Sequence, residues 1–139
     1  TTAPQLPATT LAPNCYEEMY RGSKLNIAPE LPATLLTEHC YDGMFHACLN
    51  LFTAPELPAS TLVEGCYVDM FRNCYRLRYV KCYATKKSVS IGKCVDKWLD
   101  NAGDPYVGDH EGEYGTLVCY RNVGLENYIP DYWSVEYLT

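Results

Sequence analysis

Cysteine and histidine carry the reactive side chains of this chain, and their spacing limits the chemistry open to them. There are eight Cys in 139 residues. Cys15, Cys40, Cys66 and Cys94 share one position of a recurring pattern, Cys48 and Cys74 share another, and Cys82 and Cys119 stand apart. A catalytic thiol needs one base beside it and has no reason to recur at equivalent positions. Recurrence instead predicts small apolar side chains stacked in columns as buried, reduced thiols. Disulfides are the rival reading, with Cys82 and Cys119 the pair to examine first, because a bridge needs close, matched Cβ directions. Zinc fits less well: Cys-x-x-Cys is missing, and Cys66, Cys74 and Cys82 would sit on different elements. His46 precedes Cys48 by two residues, but Arg72 holds the matching place before Cys74, so His39 and His46 read as surface residues. His110 sits in Asp109-His110-Glu111-Gly112-Glu113, which lacks the alternating ligands of a calcium loop and reads as solvated. With no Gly-x-Ser-x-Gly, phosphate-cradling glycine loop or His-Glu-x-x-His, no enzyme activity, metal or cofactor is expected.

The elements that position these residues come in copies. Ala3-Pro4-Gln5-Leu6-Pro7-Ala8 aligns with Ala28-Pro29-Glu30-Leu31-Pro32-Ala33 and with Ala54-Pro55-Glu56-Leu57-Pro58-Ala59, at offsets of 25 and then 26 residues. Further along, Leu11, Leu36 and Leu62 correspond, then Cys15-Tyr16, Cys40-Tyr41 and Cys66-Tyr67, then Met19-Tyr20, Met44-Phe45 and Met70-Phe71. The first copy is one residue short around Gly22-Ser23, where the others carry Cys48 and Cys74. A degraded fourth copy overlays Cys94 to Ala102 on Cys66 to Cys74, as befits a capping unit. The copies are placed at 3–27, 28–53, 54–79 and 80–102.

Within a copy, Leu62, Cys66, Met70 and Cys74 recur every four residues, which predicts a short helix with these side chains facing inward. Thr61-Leu62-Val63-Glu64 has the form of a capping box at its start. Leu77-x-x-Val80-x-Cys82 predicts a brief strand with Val80 and Cys82 inward and Tyr79 and Lys81 outward. Pro4, Pro29 and Pro55 each remove a ladder donor, so the strands are kept to a few residues. A unit this small must stack on its neighbours to cover its apolar side, which makes a solenoid.

The Ala-Pro-Glu-Leu-Pro-Ala runs at 28 and 54 and the Cys-Tyr-x-x-Met-Phe-x-x-Cys runs at 40–48 and 66–74 resemble the leucine-rich-repeat class, and more narrowly the BspA-like repeats of surface proteins from mouth and gut anaerobes. The likeness covers residues 1–102. It implies an α/β solenoid, a right-handed stack of short parallel strands and short helices, on a secreted or cell-surface protein active in adhesion. Residues 103–139 are read as an acidic loop and a C-terminal β-ribbon cap, with Thr116 to Tyr120 and Ser134 to Leu138 pairing over the last open edge.

Composition narrows the partners. Eleven basic against 17 acidic residues give a net charge of −6, with no Lys/Arg block. That argues against nucleic acid, because phosphate neutralisation needs clustered cations. No apolar run is long enough to span a membrane. Residues 1–16 lack the basic and apolar regions of a secretion signal, and the beginning reads as a cut. What remains is binding, carried by the strand-bearing face of Glu30, Thr53, Glu56, Tyr79 and Lys81, with a host or neighbouring-cell protein as partner. Two other readings stand beside it: a carbohydrate-binding module using Trp133 in the cap, and a spacer with no ligand of its own.

Overall fold

The computed structural model describes residues 3–104 and 114–139. The segment around His110 lies outside them. The stretches marked as equivalent run as chains of tight turns, and the helix expected over 62–74 does not form. In the third copy, Cys66, Val68, Met70, Arg72 and Cys74 each donate an N–H to the carbonyl three residues back, at 3.1–3.4 Å. The alternate N–H groups leave the copy altogether. Gly65, Tyr67, Asp69, Phe71 and Asn73 donate to the carbonyls of Lys93, Cys94, Asp96, Trp98 and Asp100 at 2.8–3.0 Å.

The reason lies in every fourth backbone position. Gly65, Asp69 and Asn73 have positive φ (70°, 54° and 62°), as do Asn14, Glu18 and Gly22 in the first copy and His39, Gly43 and Ala47 in the second. A left-handed residue at this spacing closes one turn after another and breaks the bonding of an α-helix. The apolar residues still share one side, because a turn array with a period of four returns each to the same direction. In an α-helix they would drift by about 40° per step. Asn, Asp, His and Gly tolerate the left-handed region. Glu18 and Ala47 are held there by their bonds to Asp42 O and Arg72 O of the next copy, and Lys97 closes a turn by accepting from Asp100 N.

The inter-copy bonds join all four copies in register. Tyr16 donates to Cys40 O and Tyr20 to Met44 O, while Gly43 donates to Val68 O and Phe45 to Met70 O. Between these rungs the rings stack in two files: Tyr16, Tyr41, Tyr67 and Trp98 at 6.0–6.2 Å, and Tyr20, Phe45 and Phe71 at 5.7–5.8 Å. Met44 and Met70 are fully buried, and Met19 in the outermost copy is 46% exposed.

Regular elements are few among the described residues. Thr61 and Leu62 form β1, not a capping box; β1 (Thr61–Leu62) pairs in parallel with β3 (Lys86–Lys87). β2 (Tyr79–Lys81), β4 (Thr116–Cys119) and β5 (Ser134–Tyr137) form a parallel sheet in the order β2-β4-β5. The earlier copies meet this sheet only through single-residue bridges, Thr53 to Tyr79 and Leu57 to Cys82. The described residues contain one α-helix, α1 (Ile91–Val95), and a 3-10 turn at Leu125–Tyr128. A single buried cluster runs from Leu6 to Trp133, so the C-terminal segments share the core of the copies. No helix is long and apolar enough to cross a membrane among the described residues.

Candidate functional site

The thiols are packed as side chains of the interior. All eight cysteines are free; Cys15 is exposed and the other seven are buried. Burial pushes Cys40 and Cys119 up to about 11 and Cys82 to about 12, and moves Cys48, Cys66 and Cys74 upward as well. A buried thiol that keeps its proton is a poor nucleophile. Two of these thiols donate across the stack, Cys48 Sγ to Tyr20 O at 3.1 Å and Cys74 Sγ to Phe45 O at 3.0 Å. Ser23 fills the slot that the first copy's shortening left without a cysteine, its hydroxyl 3.4 Å from Cys48 Sγ. Cys82 and Cys119 fall side by side, one step beyond the Lys81–Val118 rung, and both are free. His39 meets Asp42 at 2.8 Å rather than a thiol. Groups of three or more His, Cys, Asp or Glu suited to a metal ion do not occur among the described residues.

The proposed binding residues are brought to neighbouring strips of surface. Glu30 and Glu56 are exposed and line one groove of about 330 Å³, floored by Leu31 and walled by Pro29, Pro32, Pro55 and Pro58. A second groove of about 500 Å³ repeats the arrangement one copy earlier, between Gln5, Leu6 and Pro7 and the same Glu30 and Pro32. The prolines that keep the ladder from extending here also form the ridges. Thr53 is exposed and bridges to Tyr79, which pairs with Thr116, which in turn pairs with Ser134. Tyr79 and Lys81 are half-buried. The Lys81 ammonium lies 5.0 Å from the Tyr83 ring centroid, and Tyr83 holds its pKa above the ordinary lysine value.

Sequence reasoning missed the apolar anchors of this face. Ile27 is 60% and Phe52 49% exposed, and they line a groove of about 290 Å³ with Thr53 and Pro55. Their signal was present in part, since Asn26, Phe52 and Arg78 share one repeat position and Ile27, Thr53 and Tyr79 share the next, just before each Ala-Pro or strand segment. In the third copy Arg78 turns inward, with Nη1 donating to Tyr75 O and Leu77 O at 3.1 Å.

Trp133 is turned into the protein and not out to solvent. It is 6% exposed, its Nε1 donates to Ala102 O at 2.9 Å, and its ring lies over Gly115, where a Cβ would come within 2.2 Å. The cap uses it to seal the fourth copy. A different groove opens beside it, of about 520 Å³, between Asp96, Lys97, Asp100 and Asn101 of that copy and the cap segment carrying Tyr128, Asp131 and Tyr132. Trp98 Nε1 to Tyr128 O at 2.8 Å and Tyr132 OH to Ala102 O at 3.1 Å fix its walls. Burial raises the Tyr132 pKa to about 12. Comparison of the chain with protein-family models, curated proteins and solved structures finds no match.

Proposed function

We propose that this chain is a non-catalytic recognition module, whose copies are coils of a leucine-rich-repeat-like solenoid of the BspA-like class, and that it binds a protein partner outside the cell. The observation that carries the reading is the face itself. Two large apolar side chains, Ile27 and Phe52, stand exposed with Thr53, Glu30 and Glu56 nearby. Apolar anchors inside a polar rim are the pattern of a protein interface, where a few buried side chains supply most of the affinity. The grooves between copies are shallow and proline-walled, which suits an extended or convex protein surface better than a small substrate. Six buried thiols are pushed up by burial, Cys94 is lowered by its contact with the Cys66 thiol, Cys15 is exposed, and His39 is engaged by Asp42 rather than by any of them, which supports a non-catalytic reading.

The test is loss of capture at constant stability. A defined cell-surface extract is passed over immobilised chain, and the retained protein is identified and purified for titration. Phe52→Asp and the double change Tyr79→Ala with Lys81→Ala should each weaken binding of that protein at least tenfold, since interface anchors contribute at this level. Their melting temperatures should stay within a few degrees of the parent chain. Unchanged affinity in both variants would place the interface elsewhere. Binding to a glycan array with no protein ligand would favour the carbohydrate reading, and the absence of any ligand would favour the spacer.

A further inference from the structure

Apart from Gly103 N–H to Cys74 O at the end of the last array, the backbone bonds between the turn arrays run one way, from an N–H of the earlier copy to a carbonyl of the later one. A β-strand edge alternates donors and acceptors. Here the last array is left with donors alone. Asp69, Phe71 and Asn73 donate to Asp96, Trp98 and Asp100, and their equivalents in the fourth copy are Lys97, Leu99 and Asn101. Lys97 and Asn101 keep the positive φ of Asp69 and Asn73, at 55° and 60°. Among the described residues no acceptor meets the N–H of Lys97, Leu99 or Asn101. Buried backbone donors are nearly always paired; Leu99 is buried while Lys97 and Asn101 are exposed, so a row of acceptors arriving here would take the place of water.

Lys97 and Asn101 line the 520 Å³ groove against the cap. Its charge is one-sided: Asp96, Asp100 and Asp131 face a single ammonium, that of Lys97, and all four side chains are exposed. Tyr128 and Tyr132 add ring surface that suits a cation. The three donors fall on every second residue of the array, and an extended peptide likewise turns a carbonyl to one side at every second residue.

We propose that this groove docks an extended, lysine- or arginine-bearing segment of another protein. The ligand's alternate carbonyls accept from Lys97, Leu99 and Asn101, and its cationic side chains meet Asp96, Asp100 and Asp131. The site is separate from the Glu30 to Lys81 face and stands or falls without it.

The experiment uses the whole ¹⁵N-labelled chain and a synthetic peptide, acetyl-Thr-Lys-Val-Lys-Thr-Lys-Val-amide, with glutamate replacing lysine in the control. Binding of the lysine peptide should slow amide exchange at Lys97, Leu99 and Asn101 at least tenfold, and the glutamate peptide should have no effect. The triple change Asp96→Asn, Asp100→Asn and Asp131→Asn should weaken binding roughly tenfold and flatten its salt dependence, as a few exposed ion pairs would. Asp131→Asn alone, outside the turn array, should weaken it about twofold to threefold and keeps the test open if the triple variant melts early. The proposal is overturned if the lysine peptide fails to bind at millimolar concentration, if the three amides exchange as before, or if neutralising the carboxylates leaves affinity unchanged. Self-association that competes with the peptide and is lost on Met19→Asp would give the groove to a second copy of this chain and overturn it equally.

Discussion

Phe71 shows at the scale of one residue what the stack depends on. Its ring lies 5.7 Å from Phe45 and is wholly buried, and its N–H bonds to Trp98 O. Phe71→Ala should destabilise the chain by about 3–5 kcal/mol, from lost transfer energy and the cavity left between copies, and a denaturant melt would read it. The thiols make a second prediction at this scale. Cys40, Cys82 and Cys119 keep their protons in the fold to about 11, 12 and 11, whereas the unfolded thiol ionises near its ordinary value of 9.0. The folded values are raised, so their contribution is fully present below pH 9 and is lost as pH climbs toward 12. The melting temperature should therefore fall between pH 9 and pH 11, and replacing Cys82 by Ala should shallow that fall. A thiol reagent at neutral pH should label Cys15 at once and the other seven only on unfolding, because Cys15 alone is exposed. Two or more rapidly labelled thiols would contradict the packing described.

Among the elements, the turn array is set by its left-handed positions, and two glycines separate their contributions. Gly22 has φ 69° with nothing within 4 Å of an added Cβ, so Gly22→Ala should cost about 1 kcal/mol, the conformational penalty alone. Gly103 has φ 61° and a Cβ there would lie 2.2 Å from Leu77 O, a backbone atom that cannot step aside. Gly103→Ala should cost several times more, about 3 kcal/mol or above, since backbone must move as well. Equal losses at the two positions, measured by urea melts, would mean the close approach of Gly103 to Leu77 is not tight. The period of four is visible in Leu62, Cys66, Met70 and Cys74, and by itself it predicts a helix. The left-handed residues that decide otherwise were also visible, in Gly65, Asp69 and Asn73. Their meaning was hidden because Asp and Asn report on turns only when their carbonyls and amides have somewhere else to bond, and that partner lies 27 residues away.

For the whole molecule, one buried cluster from Leu6 to Trp133 couples the copies to the C-terminal sheet. Units that bury their sides only against neighbours unfold together when their interfaces are strong. A chain ending after Ala102 would lose β4 and β5, uncover the edge of β2 and remove the carbonyl that receives Trp98 Nε1. That truncated chain should lose its near-ultraviolet dichroism and aggregate, whereas the intact one should melt in a single transition. A truncated chain with a sharp, unshifted melt would show that the copies stand without the C-terminal sheet.

The residues alone carried the 25- and 26-residue offsets, the matching of the recurring Cys, Met and ring positions across the first three copies, and the alternation of Val80 and Lys81, but not the stacking of Trp98 on Tyr67, since the sequence aligns Trp98 with Met70. Those follow from side-chain pattern, which is local and written in the chain. Tertiary structure decided the rest: that alternate N–H groups bond forward to the next copy, that Trp133 turns inward to Ala102, that Phe52 stays out while Arg78 turns in, and that the fourth copy ends on a row of donors beside three carboxylates. Backbone hydrogen bonds between distant segments have no letter in the sequence, so the direction in which they run emerges only when the copies are laid side by side.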